Sequence, residues 1–280
     1  MTRWIWTGMA VAAMLLMAPA ASATSASTIE TMFEEVRPES FRLELAPDAA
    51  LFNVRFTFDG SAASELRYAL DNLDGIGDGD GTVSKEEVST FQFTAATAIN
   101  SALPTDLPMS PLTIDGTEPR NPDGGKPIEL AYIELNDAEG GVDATGLITA
   151  TIELQIWFAD VDKDLTSHDV SLENIFMDFQ VYDASEADSL PIKVTIGGYR
   201  SWDVIKDTVD PVEAQERFTD GALLFTASDY HYVDEEGEAL TFEIQGDPSD
   251  AAGVEKDSPG FGLVSLVAAL GVAVLVMRRR

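Results

Sequence analysis

The segment Leu70 to Val88 reads LDNLDGIGDGDGTVSKEEV. Asp74, Asp78, Asp80, Thr82, Ser84 and Glu87 set oxygen donors at close intervals along it, and glycines at 75, 77, 79 and 81 lie between them. Carboxylates crowded this tightly repel one another unless a cation sits among them. A donor set made only of oxygen suits a hard ion such as calcium, which takes six to eight oxygens at about 2.3–2.6 Å. Glycine lets the backbone make the sharp bends that turn donors inward.

Over residues 78 to 87 the segment resembles the loop of the EF-hand family. With Gly81 at the sharp turn, position 6, Asp78 and Asp80 fall at positions 3 and 5. Thr82 offers its carbonyl at position 7, Val83 is the inward apolar residue, Ser84 stands at position 9 and Glu87 at the bidentate position 12. Position 1 falls on Ile76, whose side chain has no oxygen. Asp74 lies two residues too early, so a loop that uses it runs from 74 to 87, two residues longer than the usual twelve. Backbone carbonyls near Gly75 and Gly77 are the other source for that vertex, and Asp71 and Asn72 are further oxygens at the end of the preceding helix. The resemblance implies calcium as the cofactor, an affinity on the order of 10⁻⁴ to 10⁻³ M as in extracellular modules, and a structural role. Ser84-Lys-Glu-Glu87 is also a helix capping box, which is compatible with calcium because the position-12 glutamate opens the exiting helix. An ordinary Asp-Gly hairpin turn and a loop that no longer binds are the competing readings.

Other chemistry is thinner. Asp160, Asp162 and Asp164 alternate, but Leu165 stands where a turn glycine is needed, so a solvated loop is expected. His168 and His231 are far apart and form no zinc spacing. The chain contains no G-x-S-x-G, and Gly77, Gly79 and Gly81 do not have nucleotide-fingerprint spacing. No enzyme is expected. The alternative is a glycan-binding or glycan-hydrolysing surface module. It rests on the abundance of carboxylates, from which a hydrolytic pair can be drawn, and on Trp157, Tyr199, Trp202, Tyr230 and Tyr232; core packing accounts equally well for Trp157, and Tyr199-Arg200-Ser201-Trp202, in an expected loop, is the more suggestive group.

The elements that must carry these residues are mostly strands. Residues 40–45, 51–58, 127–135, 146–158, 170–182, 190–196, 222–226 and 239–244 alternate apolar and polar side chains, with acidic, glycine-containing turns between several of them. An antiparallel, sandwich-like, mainly β domain is predicted, α+β overall. Residues 61–103 break the pattern. Leu66, Leu70 and Leu73, then Val88, Phe91, Ala95 and Ile99, follow helical spacing on the two sides of the acidic segment. An inserted helix–loop–helix is therefore predicted there. A Pro-, Asp- and Gly-rich connection follows over 103–127, and a short helical piece is expected at 212–217.

The two ends carry addressing signals. Arg3, the apolar run Ile5 to Met17 and Ala21-Ser22-Ala23 read as a secretory signal peptide over residues 1–23. Pro259-Gly260-Phe261, the apolar stretch to Met277 and Arg278 to Arg280 resemble the PGF-CTERM sorting signal of archaeal surface proteins. That resemblance implies an archaeosortase as processing enzyme, loss of residues 259–280 as a helix and attachment of a lipid; an ordinary transmembrane segment is the other reading. The body, 24–245, would then stand outside the cell on a short linker, 246–258. The net charge of −32 repels nucleic acid and anionic lipid and suits solubility in high salt. There is no cysteine, hence no disulfide framework. The sequence thus predicts a calcium-binding, membrane- or lipid-anchored cell-surface protein with a structural or interaction role.

Overall fold

A computed structural model describes residues 29, 32–33, 36–103, 112–172, 192–226 and 239–250. The signal peptide, the sorting signal, Tyr230, His231 and Tyr232, and the end of the strand expected at 170–182 lie outside these residues. Among the described residues, no helix is long and apolar enough to cross a membrane.

The protein is mainly β. Strands β1 (Ser40–Ala46) and β2 (Ala49–Phe58) form a tight hairpin, pairing Ser40 with Arg55 through to Ala46 with Ala49. Next come helix α1 (Gly60–Asp71), the two-residue strand β3 (Thr82–Val83) and helix α2 (Lys85–Ala102). The rest is strand-rich: β4 (Leu112–Ile114), β5 (Ile128–Asn136), β6 (Gly140–Gly141), β7 (Ile148–Trp157), β8 (Ser167–Leu172), β9 (Lys193–Gly198), β10 (Asp203–Asp210), β11 (Phe218–Thr219), β12 (Ala222–Thr226) and β13 (Leu240–Gln245). A 3₁₀ helix occupies Val212–Arg217, where the short helical piece is predicted.

Seven strands make the larger sheet in the order β11-β12-β9-β1-β2-β7-β5, and four make the smaller in the order β10-β13-β8-β4. Pairing is antiparallel except between β1 and β9, which run parallel. The period of two explains the layering. Phe41, Leu43 and Leu45 on β1, Val54, Phe56 and Phe58 on β2, and Ile148, Ala150, Ile152 and Leu154 on β7 all point to one side and are buried. Val170 and Leu172 of β8 with Phe242 and Ile244 of β13 belong to the same continuous core. So do Leu66 and Leu70 of α1 and Val88, Phe91 and Ile99 of α2, so the helices are integral to the fold. Burying a Leu, Ile or Phe side chain contributes about 1.5–3 kcal/mol, which makes this shared core the main source of stability.

Two features fix where the helices sit. Lys126 Nζ caps α2 by donating to the carbonyls of Asn100 at 2.7 Å, Ser101 at 3.3 Å and Leu103. Asn100 Oδ1 in turn accepts the Leu130 N–H at 2.9 Å, next to the bulge at Ala131 in β5. The bulge keeps Ile133 and Leu135 facing inward and sets Tyr132 opposite Glu153.

Candidate metal site

Helix α1 stops at Asp71, and the chain folds back under its end. Ile76 N and Gly77 N donate to the Leu73 carbonyl at 3.0 and 2.8 Å, and Gly79 N donates to the Asp71 carbonyl at 2.9 Å. This fold-back requires a glycine. A Cβ on Gly77 would lie 2.0 Å from the Asp71 carbonyl oxygen. The sharp turn comes at Gly81, with φ of +88°. The segment is therefore a compact loop on a helix end, not a hairpin turn.

Two of the loop carboxylates then converge with Asp71 at the helix end. Oxygens of Asp71, Asp78 and Asp80 lie within 4.8 Å of one another. Asp78 and Asp80 are exposed, whereas Asp71 is buried at 2% exposure. The Asp71 carboxylate accepts the Gly81 N–H at 3.3 Å on each oxygen, which aims it into the loop. Asp78 Oδ1 accepts the Asp80 N–H at 3.1 Å, and Asp80 Oδ1 accepts the Thr82 N–H at 2.8 Å. Among the described residues, no salt bridge reaches any of the three. Two like charges at such separation repel by about 1 kcal/mol in the water limit and by a few kcal/mol at a partly buried site. An all-oxygen trio of negative groups without a countercharge fits a hard cation, with backbone oxygens and water completing its shell.

The predicted ligands divide. Asp78 and Asp80 are in the trio. Asp74 sits exposed in the turn after α1, outside it. Ile76, at the position that lacks an oxygen, is partly buried against the core and acts as an apolar plug. Thr82 lies in β3, and Ser84 is the N-cap of α2, its Oγ accepting the Glu87 N–H at 3.2 Å. Glu87 is buried and braces the loop. Its Oε1 accepts the Asp78 N–H at 3.1 Å and its Oε2 the Ser84 N–H at 2.6 Å. Burial pushes the Glu87 carboxyl up, but its hydrogen bonds with Ser84 and Asp78 outweigh that and hold it below the usual carboxylate range. Each oxygen keeps a lone pair for an ion, although Glu87 is not one of the three converging groups. Asp71, three residues upstream of Asp74, is the third converging carboxylate.

A second strand steadies the loop. β3 pairs with β6, Thr82 opposite Gly141 and Val83 opposite Gly140, and Val142 N donates to the Gly81 carbonyl at 3.1 Å. β6 lies in the connection between β5 and β7.

The remaining candidates are structural or open. Asp160 pairs with Arg120 at 2.8 Å on the surface, and Asp162 Oδ1 accepts the Asp164 N–H at 3.1 Å, a solvated loop as expected. Trp202 is buried at 1% exposure beside His168, whose Nδ1 meets Asp115 at 2.7 Å. Trp202 is therefore a core residue and cannot line a cleft. The outer face of the larger sheet instead carries half-buried Trp157, and Glu153 opposite both Asn53 and Tyr132. Burial, with Glu44 adding to it, holds the Glu153 carboxyl above its ordinary range, and burial with Glu153 pushes the Tyr132 phenol up to about 12. Comparison with known protein families, curated proteins and solved structures yields no match to this chain.

Proposed function

We propose that the protein is a calcium-supported surface protein, anchored outside the cell by its C-terminal end, whose loop at 71–87 takes one structural calcium ion. The observation that carries the reading is the convergence of Asp71, Asp78 and Asp80 on one point at the end of α1. In this reading Asp71 takes the vertex that Ile76 cannot fill, Asp78 and Asp80 take the neighbouring ones, and carbonyls and water complete the shell. Glu87 holds the loop closed from beneath and joins the shell through its free lone pairs. A single weak site suits a protein meant to fold after export, where calcium is plentiful, and not a switch.

Calorimetric titration of the protein with calcium in molar salt tests this. One site with a dissociation constant on the order of 10⁻⁴ to 10⁻³ M is expected, lost in the D78N/D80N double variant. Diffuse attraction to the acidic surface would instead give many weak sites, equal in both proteins. The anchoring half is read from the intact mass of the membrane-extracted protein: loss of the tail with a gain of lipid, against a retained tail.

A second reading, a glycan-facing module, is favoured by Trp157, Glu153 and Tyr132 on the outer face of the larger sheet, Tyr132 directly opposite Glu153 and Trp157 four residues further along β7. Quenching or enhancement of tryptophan fluorescence by neutral disaccharides, absent in W157F, would support it.

A further inference from the structure

Among the described residues, the buried cation nearest the loop in sequence is Arg67. It sits on α1 four residues before Asp71, so the two side chains share one face of the helix. Arg67 is 3% exposed. Among the described residues its guanidinium forms no salt bridge; it donates to backbone carbonyls. Nη1 reaches the carbonyls of Ala144 at 2.7 Å and Gly146 at 2.9 Å, and Nη2 reaches that of Asp137 at 2.6 Å. Those three carbonyls bracket β6 on both sides. β6 in turn holds β3, and Val142 N holds the Gly81 carbonyl. Gly81 N donates to Asp71. A closed circuit results: Arg67 to the β5–β7 connection, that connection to Gly81, and Gly81 to the carboxylate one turn from Arg67.

We infer that Arg67 is a positioning residue for the metal loop: it fixes the β5–β7 connection as a rigid partner strand, and that strand presets Gly81 and the Asp71, Asp78 and Asp80 carboxylates for the ion. The inference rests on the calcium reading and adds to it the element that preorganises the site. The physical ground is that these three carbonyls are shared between two nitrogens of one guanidinium, Nη1 and Nη2, a rigid planar fork whose spacing a lysine ammonium, with all its donors on one atom, does not reproduce. A loop with four glycines also loses much conformational freedom on binding unless something holds it beforehand. The coupling runs both ways, so an ion that orders the loop also orders the connection.

Two variants and two readouts test it. Arg67→Met removes the fork and keeps an unbranched stem; Arg67→Lys keeps the charge and leaves a single donor point. Calcium affinity is measured by calorimetry and the Val142 amide by hydrogen exchange, on the full-length protein. The expected result is a weakening of calcium binding by at least about tenfold in Arg67→Met, with partial recovery in Arg67→Lys. Faster exchange at Val142 should accompany it, and added calcium should slow that exchange in the wild type. If Val142 loses protection while calcium affinity stays at the wild-type value, the positioning role is overturned and the calcium site stands. If the wild type binds no calcium, both fall, while protection of Val142 in the metal-free protein still reports the β3–β6 pairing by itself. Should Arg67→Met not fold, Arg67→Lys carries the test: wild-type affinity in it with an unprotected Val142 overturns the claim.

Discussion

At the scale of single residues, two glutamates with opposite environments make opposite predictions. Glu87 is held below its ordinary range, so its folded pKa lies below the unfolded value. Its contribution is complete above the unfolded value, near 4.5, and is lost as pH falls through the folded one. Glu87→Gln should therefore lower stability at pH 7 and show a shallower loss as pH falls below the unfolded value, read by urea unfolding across that fall. Glu153 is held above its range by burial, so the folded state binds its proton more readily than the unfolded chain. The charged form weakens the fold at neutral pH, and the penalty fades as pH drops through the raised value. Glu153→Gln should raise the melting temperature at pH 7 and change it little at pH 4, read by thermal unfolding at the two values. Gly77 is a third case. A methyl there meets the Asp71 carbonyl oxygen at 2.0 Å, so Gly77→Ala should displace the loop, lower stability by more than about 2 kcal/mol and abolish calcium binding, measured by denaturation and calorimetry.

At the scale of elements, legibility in the sequence followed the clarity of the period. β1, β2, β5, β7 and β12 alternate cleanly and lie within two residues of their predicted spans. β10 escaped because its inward residues, Val204 and Val209, are five apart across a register shift that breaks the period of two. β4 is three residues inside a Pro- and Gly-rich connection, and Gly140–Gly141 of β6 has no side chain to pattern. The two helices and the acidic loop between them were legible from the leucine and valine spacing. Asp71 was legible only as a further oxygen at the helix end; its convergence with Asp78 and Asp80 depends on a backbone fold-back, Gly79 N to the Asp71 carbonyl, that no side-chain spacing announces. The α2 end gives a prediction at this scale. Lys126→Met frees three carbonyls of the last turn, and a cost of about 1–2 kcal/mol is expected, with faster hydrogen exchange confined to residues near Asn100 and Leu130.

At the scale of the whole molecule, charge sets the working conditions. A net charge of −32 makes the folded state repel itself in dilute buffer. At 1 M salt the screening length falls to about 3 Å, so the melting temperature should rise steeply with sodium chloride before it levels. The mixed sheet, the shared core and the helix pair give this surface a rigid body to sit on. In the proposed reading, one ion at the end of α1 ties the helix pair, through β3 and β6, to the larger sheet. The most direct test of that account is thermal unfolding with and without millimolar calcium, in molar salt that suppresses diffuse attraction, with magnesium as a parallel addition. The account predicts a melting temperature raised by calcium more than by magnesium in the wild type and unmoved in D78N/D80N; equal shifts in both proteins, or none in either, would contradict it.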